Sequence, residues 1–365
     1  MSLKFLFMQH FGERLRAARK IKGWSLQELV SKTSHTVSKQ ALSKYEAGVM
    51  MPSRKILLLL SSALGVKPTY FDSQPVFKLP EFEIQRKGDL SAKQAESIRE
   101  KVKDVLEHYL KAEALLNIRS TFSNPVKPIP VSDEQAAADV AAKLLSRWNL
   151  GKGALHNVTE MLEEKGVRVI QVSSPDNFDG LSTYVGKLPV IVLHKDRPTA
   201  VKRFAAMYEL GQLLLKIRTD TSKQKIPADT DRHKICETFA AAMLLPGDAL
   251  ETLLGNKRMA IAPGELICIK EQYGLPIRAI IQQAVFKGII DRKNASAFLK
   301  LLADNTDETG MGNYIGQEKA HRFDRMVYRL VAEEIIDIDK AADLTGIPAE
   351  ELRKKVEVFE AVAQD

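Results

Sequence analysis

Residues 206–213 read AMYELGQL, and this segment decides what kind of domain fills the middle of the chain. Apolar residues surround a single carboxylate, Glu209, while Tyr208 and Gln212 lie four positions apart. In a helix, residues at i and i+4 share one face. A polar group buried on such a face is normally paired. The segment therefore predicts a core helix with a paired acid, a catalytic helix, or the remnant of one.

The neighbouring sequence predicts a small sheet packed with helices. Three short β runs come before the segment: VRVIQVS, GLSTYVG and LPVIVLHK. The segment lies in a helical pattern of eighteen residues, AVKRFAAMYELGQLLLKI, and a second helix, RHKICETFAAAMLLP, follows after a polar loop. Short strands among longer helices predict a mainly α fold with a small β-sheet, of the α+β class.

The net positive charge of the chain is confined to its first fifth. Residues 1–72 carry twelve Lys and Arg against four Asp and Glu, while the other residues carry 42 of each sign. A basic block that is so segregated favours a polyanionic partner. Without a long apolar run we expect no membrane association. The two cysteines, Cys236 and Cys268, suit a reducing cytoplasm and exclude a zinc site built from four cysteines.

The basic block predicts a small all-α domain of four or five short helices. Ser25 and Glu28 stand in capping-box spacing at the start of SLQELVSK. Ser38 is the expected N-cap of a helix that ends at Gly48. The apolar run SRKILLLLSSALGV supplies a further helix that can cover the others.

Residues 37–53, VSKQALSKYEAGVMMPS, resemble the recognition-helix signature of XRE-type helix-turn-helix domains, the lambdoid phage repressor family. The matching residues are Ser38, Gln40, Tyr45, Glu46, Gly48 and Pro52, with Gln27, Glu28 and Leu29 upstream. The turn KTSHTVS is about two residues longer than the usual turn of such motifs. The resemblance implies a lambda-repressor-like domain whose second helix of the pair enters the major groove of double-stranded DNA.

The same resemblance assigns DNA contacts to a set of polar residues. The candidates are Gln27, Ser38, Lys39, Gln40, Ser43 and Lys44. Lys39, Gln40 and Lys44 would read base edges, because Lys pairs with guanine and Gln with adenine. Ser38 and Gln27 would lie near phosphates at helix N-termini. The alternative is a helical bundle with incidental lysines.

The succession of strands and helices resembles the ImmA/IrrE family of zinc metallopeptidases, along nearly the whole chain. In that family the first of two helices carries H-E-L-G-H, and the second carries a Glu ligand six residues before a Phe-Ala pair. Two imidazoles on one helix face and a third ligand hold zinc, with an open position for water. The Glu beside the first His takes the proton from that water. The resemblance implies a zincin-like domain.

The positions that match the three zinc ligands are Tyr208, Gln212 and His233, and Glu209 matches the general base. A phenol binds zinc only as phenolate, and its ordinary pKa is about 10. The Gln amide oxygen is a far weaker zinc ligand than imidazole. We therefore expect no zinc and no other cofactor, and we interpret Glu209 as a vestigial, inactive base of a pseudo-metallopeptidase.

Three alternatives stay open for this helix. Tyr208 and Gln212 could simply pack in a core, with Glu209 as a structural carboxylate. Glu237, four residues beyond His233, or His194, at the end of the strand IVLHK, could replace a lost ligand. A different metal, or an active peptidase with unusual ligation, would follow from such a replacement.

Composition and resemblance together divide the chain into four segments. They are the helix-turn-helix domain (1–72), a linker with a long connecting helix (73–128), the degenerate peptidase-like domain (129–256) and a helical C-terminal region (257–365). The connecting helix, SAKQAESIREKVKDVLEHYLKAEALL, is predicted to be a rigid spacer or dimer arm. The last segment contains a second helix-turn-helix-like unit around Gly346, whose mixed charge favours packing or partner contact over DNA binding.

These observations predict a cytoplasmic transcriptional regulator. We expect a repressor-like homodimer on a two-fold DNA operator, with a peptidase-like domain that senses a small-molecule ligand or a regulatory protein. The first alternative is an active metalloendopeptidase that cleaves a repressor or an antitoxin. The second is an antitoxin-like module that binds another protein.

Overall fold

The computed structural model describes residues 3–72, 90–118, 121–126, 130–173, 178–217 and 229–357. The chain forms two compact units, one of Met1–Ile118 with Met326–Asp365 and one of Arg119–Arg325. Nearly all of the linker expected at residues 73–90, and the middle of the break expected at residues 123–130, lie outside the described residues. The four-segment division of the sequence stays a prediction, and the two units are described separately below.

The first unit begins with the short helices that the basic block predicts. They are α1 (Leu3–Ile21), α2 (Leu26–Lys32), α3 (Lys39–Glu46) and α4 (Arg54–Leu64), followed by a 3-10 turn at Pro68–Phe71 and the connecting helix α5 (Ala92–Leu115). The predicted capping box of Ser25 and Glu28 is present at the start of α2. The Ser38 hydroxyl accepts a hydrogen bond from the Ala41 N–H at 3.2 Å, as expected of an N-cap.

The turn between α2 and α3 contains two residues in the left-handed region of backbone space. Ser34 has φ 49° and His35 has φ 57°. Residues other than glycine seldom adopt this region. Both residues lie in the segment KTSHTVS that joins α2 to α3.

Helix α5 packs on α1 instead of standing free as a spacer. The Ser97 hydroxyl donates to the Ile21 carbonyl at 2.9 Å, and Arg14 forms an ion pair with Glu107 at 2.7 Å. Its buried apolar residues are Ile98, Val102, Leu106 and Tyr109. The amphipathic pattern of this helix is therefore satisfied within the first unit, because α1 and its neighbours cover the apolar face.

The second unit combines two small sheets with eight helices among its described residues. The strands are β1 (Pro130–Val131), β2 (Arg168–Val172), β3 (Gly180–Val185), β4 (Leu188–His194) and β5 (Lys216–Ile217). The helices are α6 (Glu134–Arg147), α7 (Val158–Glu164), α8 (Thr199–Leu214), α9 (Asp229–Leu244), α10 (Gly247–Leu254), α11 (Pro263–Tyr273), α12 (Ile277–Phe286) and α13 (Arg292–Leu301). This arrangement confirms the predicted fold class.

The three predicted β runs form one sheet with β4 in the middle. β2 is parallel to β4, and β3 is antiparallel to it, with Ser182 opposite Ile191. Every residue of β4 after Leu188 is buried, as expected of a central strand covered on both faces. β1 and β5 pair separately as a short parallel ladder.

Helices α8 and α9 lie very close together behind this sheet. A Cβ placed on Gly211 of α8 would lie 3.0 Å from a ring carbon of Phe239 on α9. Phe239 and Met207 are fully buried. The glycine thus allows α8 and α9 to approach each other closely at the position of Phe239.

Residues 302–321 connect α13 to the next helix without a helix or strand of their own, and we name them the clamp segment. Glu308 accepts from the N–H groups of Ile277 and Arg278 at the start of α12, and it pairs with buried Lys270 at 2.9 Å. Glu318 accepts from the N–H groups of Val158 and Thr159 at the start of α7, and it pairs with buried Arg203. A carboxylate at a helix N-terminus satisfies free N–H groups and opposes the positive end of the helix dipole.

The chain then passes from the second unit into the first through α14 (Arg322–Ala332), which is followed by α15 (Ile338–Thr345) and α16 (Ala349–Glu357). Gly346 has φ 70° and ends α15, so the predicted turn at this residue is present. Asp343 of α15 pairs with Lys67 at 2.7 Å within the first unit. None of the helices in the described ranges has the length and apolarity that a bilayer crossing needs.

Candidate functional site

Helix α3 presents its polar residues to solvent and buries the others. Leu42, Tyr45 and Glu46 are buried, and they anchor the helix on the first unit's core. The six residues predicted to contact DNA are all exposed: Gln27, Ser38, Lys39, Gln40, Ser43 and Lys44. The helix can therefore offer an uninterrupted polar and basic surface without losing core contacts.

A buried ion pair, which the sequence did not reveal, fixes the far end of α3 to α1. The Arg19 guanidinium donates to both Glu46 carboxylate oxygens, at 2.6 and 2.7 Å, and also to the Trp24 carbonyl. Only 12% of the Arg19 side chain and 4% of the Glu46 side chain are exposed. Such bidentate ion pairs fix the relative orientation of the two side chains and also stabilise the fold. Glu46 is part of the family signature, but its partner lies 27 residues earlier.

A glycine in α1 sets the distance between α1 and α3. A Cβ on Gly12 would lie 2.6 Å from the Tyr45 carbonyl oxygen and 2.7 Å from that of Glu46. No side chain fits in that space, because the obstructing atoms belong to the backbone. The position of the exposed α3 surface therefore depends on Gly12 and on the Arg19–Glu46 pair.

In the second unit, Glu209 is a buried and hydrogen-bonded carboxylate. It is 2% exposed, and its Oε2 accepts from the Ser182 hydroxyl of β3 at 2.7 Å. A Cβ on Gly180 would lie 3.5 Å from Glu209 Cγ, so β3 packs tightly over this side chain. The sequence indicates the acid but not Ser182, because their pairing depends on how the sheet meets α8.

The three positions that match the zinc ligands come together between α8 and α9. The Gln212 amide donates to the Tyr208 hydroxyl at 3.1 Å, and the Tyr208 and His233 rings lie 5.2 Å apart. His233 pairs with Glu237, one turn further along α9, at 3.4 Å. We name these four residues, together with Arg232, the interhelix cluster. Burial raises the pKa of the Tyr208 phenol, which favours the neutral hydroxyl over phenolate.

Arg232 is the one member of this cluster that no sequence pattern indicates. Its Nε donates to the Gln212 amide oxygen at 3.0 Å. The only oxygen that Gln212 could offer to a metal therefore faces a guanidinium. A fixed positive charge beside a cation site opposes metal binding, since like charges repel strongly at short range.

The two alternative ligands do not complete a metal site with these residues. His194 is buried at the end of β4; its Nδ1 accepts from the Asp196 N–H at 3.0 Å, and its buried Nε2 has no hydrogen-bond partner among the described residues. Glu237 faces His233. Within the described ranges, no three His, Cys, Asp or Glu residues are grouped so that they could hold a metal. The interhelix cluster thus supplies one imidazole, His233, and one carboxylate, Glu237, which is fewer than the three protein ligands of a catalytic zinc site.

Two family models match the chain. Residues 15–71 match the family described as helix-turn-helix, and residues 162–283 match the family described as the IrrE N-terminal-like domain. No curated protein matches the chain. The first match contains α2 and α3 and supports binding to double-stranded DNA, and the second contains α8, α9 and the sheet. The chain is therefore a fusion of an XRE-type helix-turn-helix domain with an ImmA/IrrE-type, peptidase-like domain.

Proposed function

We propose that this protein is a cytoplasmic, repressor-like transcriptional regulator whose peptidase-like domain no longer hydrolyses peptides. The observation that carries the proposal is the pair of surfaces just described. One is an exposed, basic α3 anchored by Arg19 and Glu46, and the other is a cluster in which Arg232 bonds to a degenerate ligand position. The first suits operator recognition, and the second suits a role in sensing a small-molecule ligand or a regulatory protein.

The regulator acts as a homodimer on a two-fold operator. One α3 helix reads only a few base pairs, and helix-turn-helix proteins reach useful specificity by placing two recognition helices one DNA turn apart. The polar face of α3 contributes base contacts, while the start of α2 contributes phosphate contacts. Sedimentation of the protein with operator DNA would give the number of chains per site.

If α3 reads bases, variants of base-contacting residues and variants of phosphate-contacting residues should differ in their effect on DNA binding. Lys39→Ala or Gln40→Ala should reduce the preference for the selected operator over random DNA by about 1–3 kcal/mol. Gln27→Ala should lower the affinity for all DNA sequences by a similar factor, because a phosphate contact carries no sequence information. The operator is selected from a random duplex pool, and affinities are measured at one fixed salt concentration.

Lys187→Ala is the matched control for these DNA measurements. Lys187 is an exposed lysine in the turn between β3 and β4, far in sequence from α3. It should leave both affinity and preference unchanged. Equal losses in the α3 variants and in Lys187→Ala would mean that binding reflects general charge and not α3.

The interhelix cluster predicts a protein that purifies without zinc. Mass spectrometry of the metal content should give well below one zinc per chain, because one imidazole and one carboxylate, beside a neutral phenol and an amide paired with Arg232, make a poor zinc site. Near-stoichiometric zinc would overturn this assignment and support the active metalloendopeptidase instead. Co-purification of a stoichiometric protein partner without operator binding would support the antitoxin-like module.

Restoring the family ligands should work only when Arg232 is also removed. The variant Tyr208→His, Gln212→His, His233→Glu keeps a guanidinium next to the new site. Adding Arg232→Ala should raise zinc affinity by at least about tenfold, because a unit charge near a divalent ion is worth more than 1.4 kcal/mol. Equal zinc affinities of the two variants would show that Arg232 is not the obstacle.

A further inference from the structure

A cleft on the second unit borders α9 and shares Glu237 with the interhelix cluster. It has a volume of about 890 Å³ and lies between α6, α9, α12 and α13. A second cavity of about 590 Å³ adjoins it, and Gln135, Thr238, Gln283 and Phe286 line both. Each of the two cavities falls in the size range of ligand sites. We name the larger one the α6–α13 cleft.

A buried amide with an unused acceptor lies at the floor that the two cavities share. Gln283 is 5% exposed, and its Nε2 donates to the Leu245 carbonyl at 2.6 Å. That bond fixes the orientation of the amide. Its Oε1 is buried and has no hydrogen-bond partner among the described residues. A buried unpaired acceptor is costly and needs a donor, such as the N–H of a ligand.

Two of the helices that line the cleft contribute opposite charges. Asp133 and Glu134 come from the start of α6, and Arg292 and Lys300 come from α13, while α9 contributes one residue of each sign, Lys234 and Glu237. Asp133 is occupied in capping α6 through the Ala136 N–H. Glu134 has only a long contact, at 3.5 Å, with the Thr238 hydroxyl. Neither Arg292 nor Lys300 forms an ion pair with any residue in the described ranges.

Apolar side chains form much of the remaining lining of the cleft. Phe286, Val285 and Leu299 are partly buried and line the cleft. A ligand that satisfies this arrangement has an amine at one end, a carboxylate at the other, N–H donors between them and apolar side chains. These are the features of a short peptide with free termini.

We propose that the α6–α13 cleft binds a short peptide with free termini. Its ammonium group pairs with Glu134, its carboxylate pairs with Arg292 and Lys300, and a backbone N–H donates to Gln283 Oε1. This inference rests on the proposed function, in which the peptidase-like domain receives the signal. Glu237 both lines the cleft and pairs with His233, so peptide binding also reaches the interhelix cluster.

The test uses the full chain and a random tetrapeptide mixture, with retained peptides identified by mass spectrometry. We expect a defined subset to be retained. Acetylating the amine alone, or amidating the carboxylate alone, should reduce retention by about tenfold, as the loss of one charge-assisted contact implies. Arg292→Gln should cause a loss of similar size. Gln283→Leu should cost about fivefold, the worth of one neutral hydrogen bond.

Lys293→Gln is the matched control, because Lys293 is exposed beside Arg292 on α13 and does not line the cleft. It removes the same charge and should leave retention within about twofold of the original. Arg292 is exposed as well, so its replacement does not endanger the fold. Blocked peptides retained as well as free ones would overturn the assignment of the termini and hence the proposal.

Operator binding, measured on the same samples, separates this inference from the proposed function. If no peptide is retained, or if Arg292→Gln and Lys293→Gln lose retention equally, while operator binding is normal, the cleft assignment is wrong and the regulator proposal stands. If peptides are retained as expected but α3 variants do not alter DNA binding, the regulator proposal is wrong.

Discussion

Replacing Glu318 with alanine is expected to lower the free energy of unfolding of the second unit by about 3–5 kcal/mol, because it leaves a buried cation without its counter-charge. Arg203 has no exposed side-chain surface, and its Nη1 donates to Glu318 at 2.6 Å. Its other nitrogens donate to backbone carbonyls, including those of Leu155 and Gly274. Those carbonyls keep the guanidinium in place but do not neutralise its charge.

The same substitution also removes an additional acceptor at the start of α7, where Asn157 is the N-cap residue. Glu318 accepts from the N–H groups of Val158 and Thr159 and from the Thr159 hydroxyl. Losing such an acceptor at a helix N-terminus costs about 1 kcal/mol by itself. Glu318→Gln, which keeps the shape and one acceptor but not the charge, should therefore fall between the original protein and Glu318→Ala.

The two tryptophans of the chain allow each unit to be followed separately. Trp24 lies in the first unit and Trp148 in the second. In a Trp24→Phe background, urea denaturation monitored by fluorescence reports on the second unit alone. Glu251→Ala is the control, because its pair with Lys287 is largely exposed and should be worth about 0–1 kcal/mol. Equal losses in Glu251→Ala and Glu318→Ala would contradict the buried-charge explanation.

Glu46→Ala is expected to destabilise the first unit by about 3 kcal/mol and to weaken DNA binding at every sequence. The substitution removes both bonds from Arg19 and frees the end of α3 from α1. The base-reading side chains are untouched, so the preference for the operator over random DNA should persist in the molecules that remain folded. This result differs from that of Gln40→Ala, which should lower the preference and not the stability.

Trp24, in a Trp148→Phe background, is the reporter for this second experiment. Glu13→Ala is the matched control, since Glu13 is an exposed acid on α1 and its loss changes the net charge by the same amount. Glu13→Ala should leave the unfolding midpoint nearly unchanged. An equal effect of the two substitutions on DNA affinity would indicate net charge, and not the anchoring of α3, as the cause.

Local sequence rules predicted much of this molecule, because they concern residues within one helical turn of each other. The Ser25–Glu28 capping box, the Ser38 cap and the turn at Gly346 follow from such rules. The strands around β4 follow from short runs of apolar and β-branched residues. Tyr208 and Gln212 could be placed on one helix face for the same reason.

The missed contacts join residues that are distant in sequence. Arg203 and Glu318 are 115 residues apart, and Arg232 and Gln212 are 20 residues apart on different helices. An Arg or Glu in an amphipathic pattern normally marks a solvated face, so its burial depends on the tertiary fold and not on local pattern. The packing of α5 on α1 was missed because the apolar residues of an amphipathic helix have the same spacing in both possible cases. The spacing does not tell whether the apolar face packs on the helix's own domain or on another chain.

The clamp segment has a consequence for the order in which the protein folds during synthesis. Domains usually fold as the N-terminal part of the chain leaves the ribosome. Here Glu308 and Glu318, the counter-charges of Lys270 and Arg203, are translated after both cations and after the starts of α12 and α7, whose N–H groups donate to them. A nascent chain that stops before residue 308 holds two buried cations without partners. The second unit is therefore completed late in translation, and premature termination inside the clamp segment should yield chains marked for proteolysis.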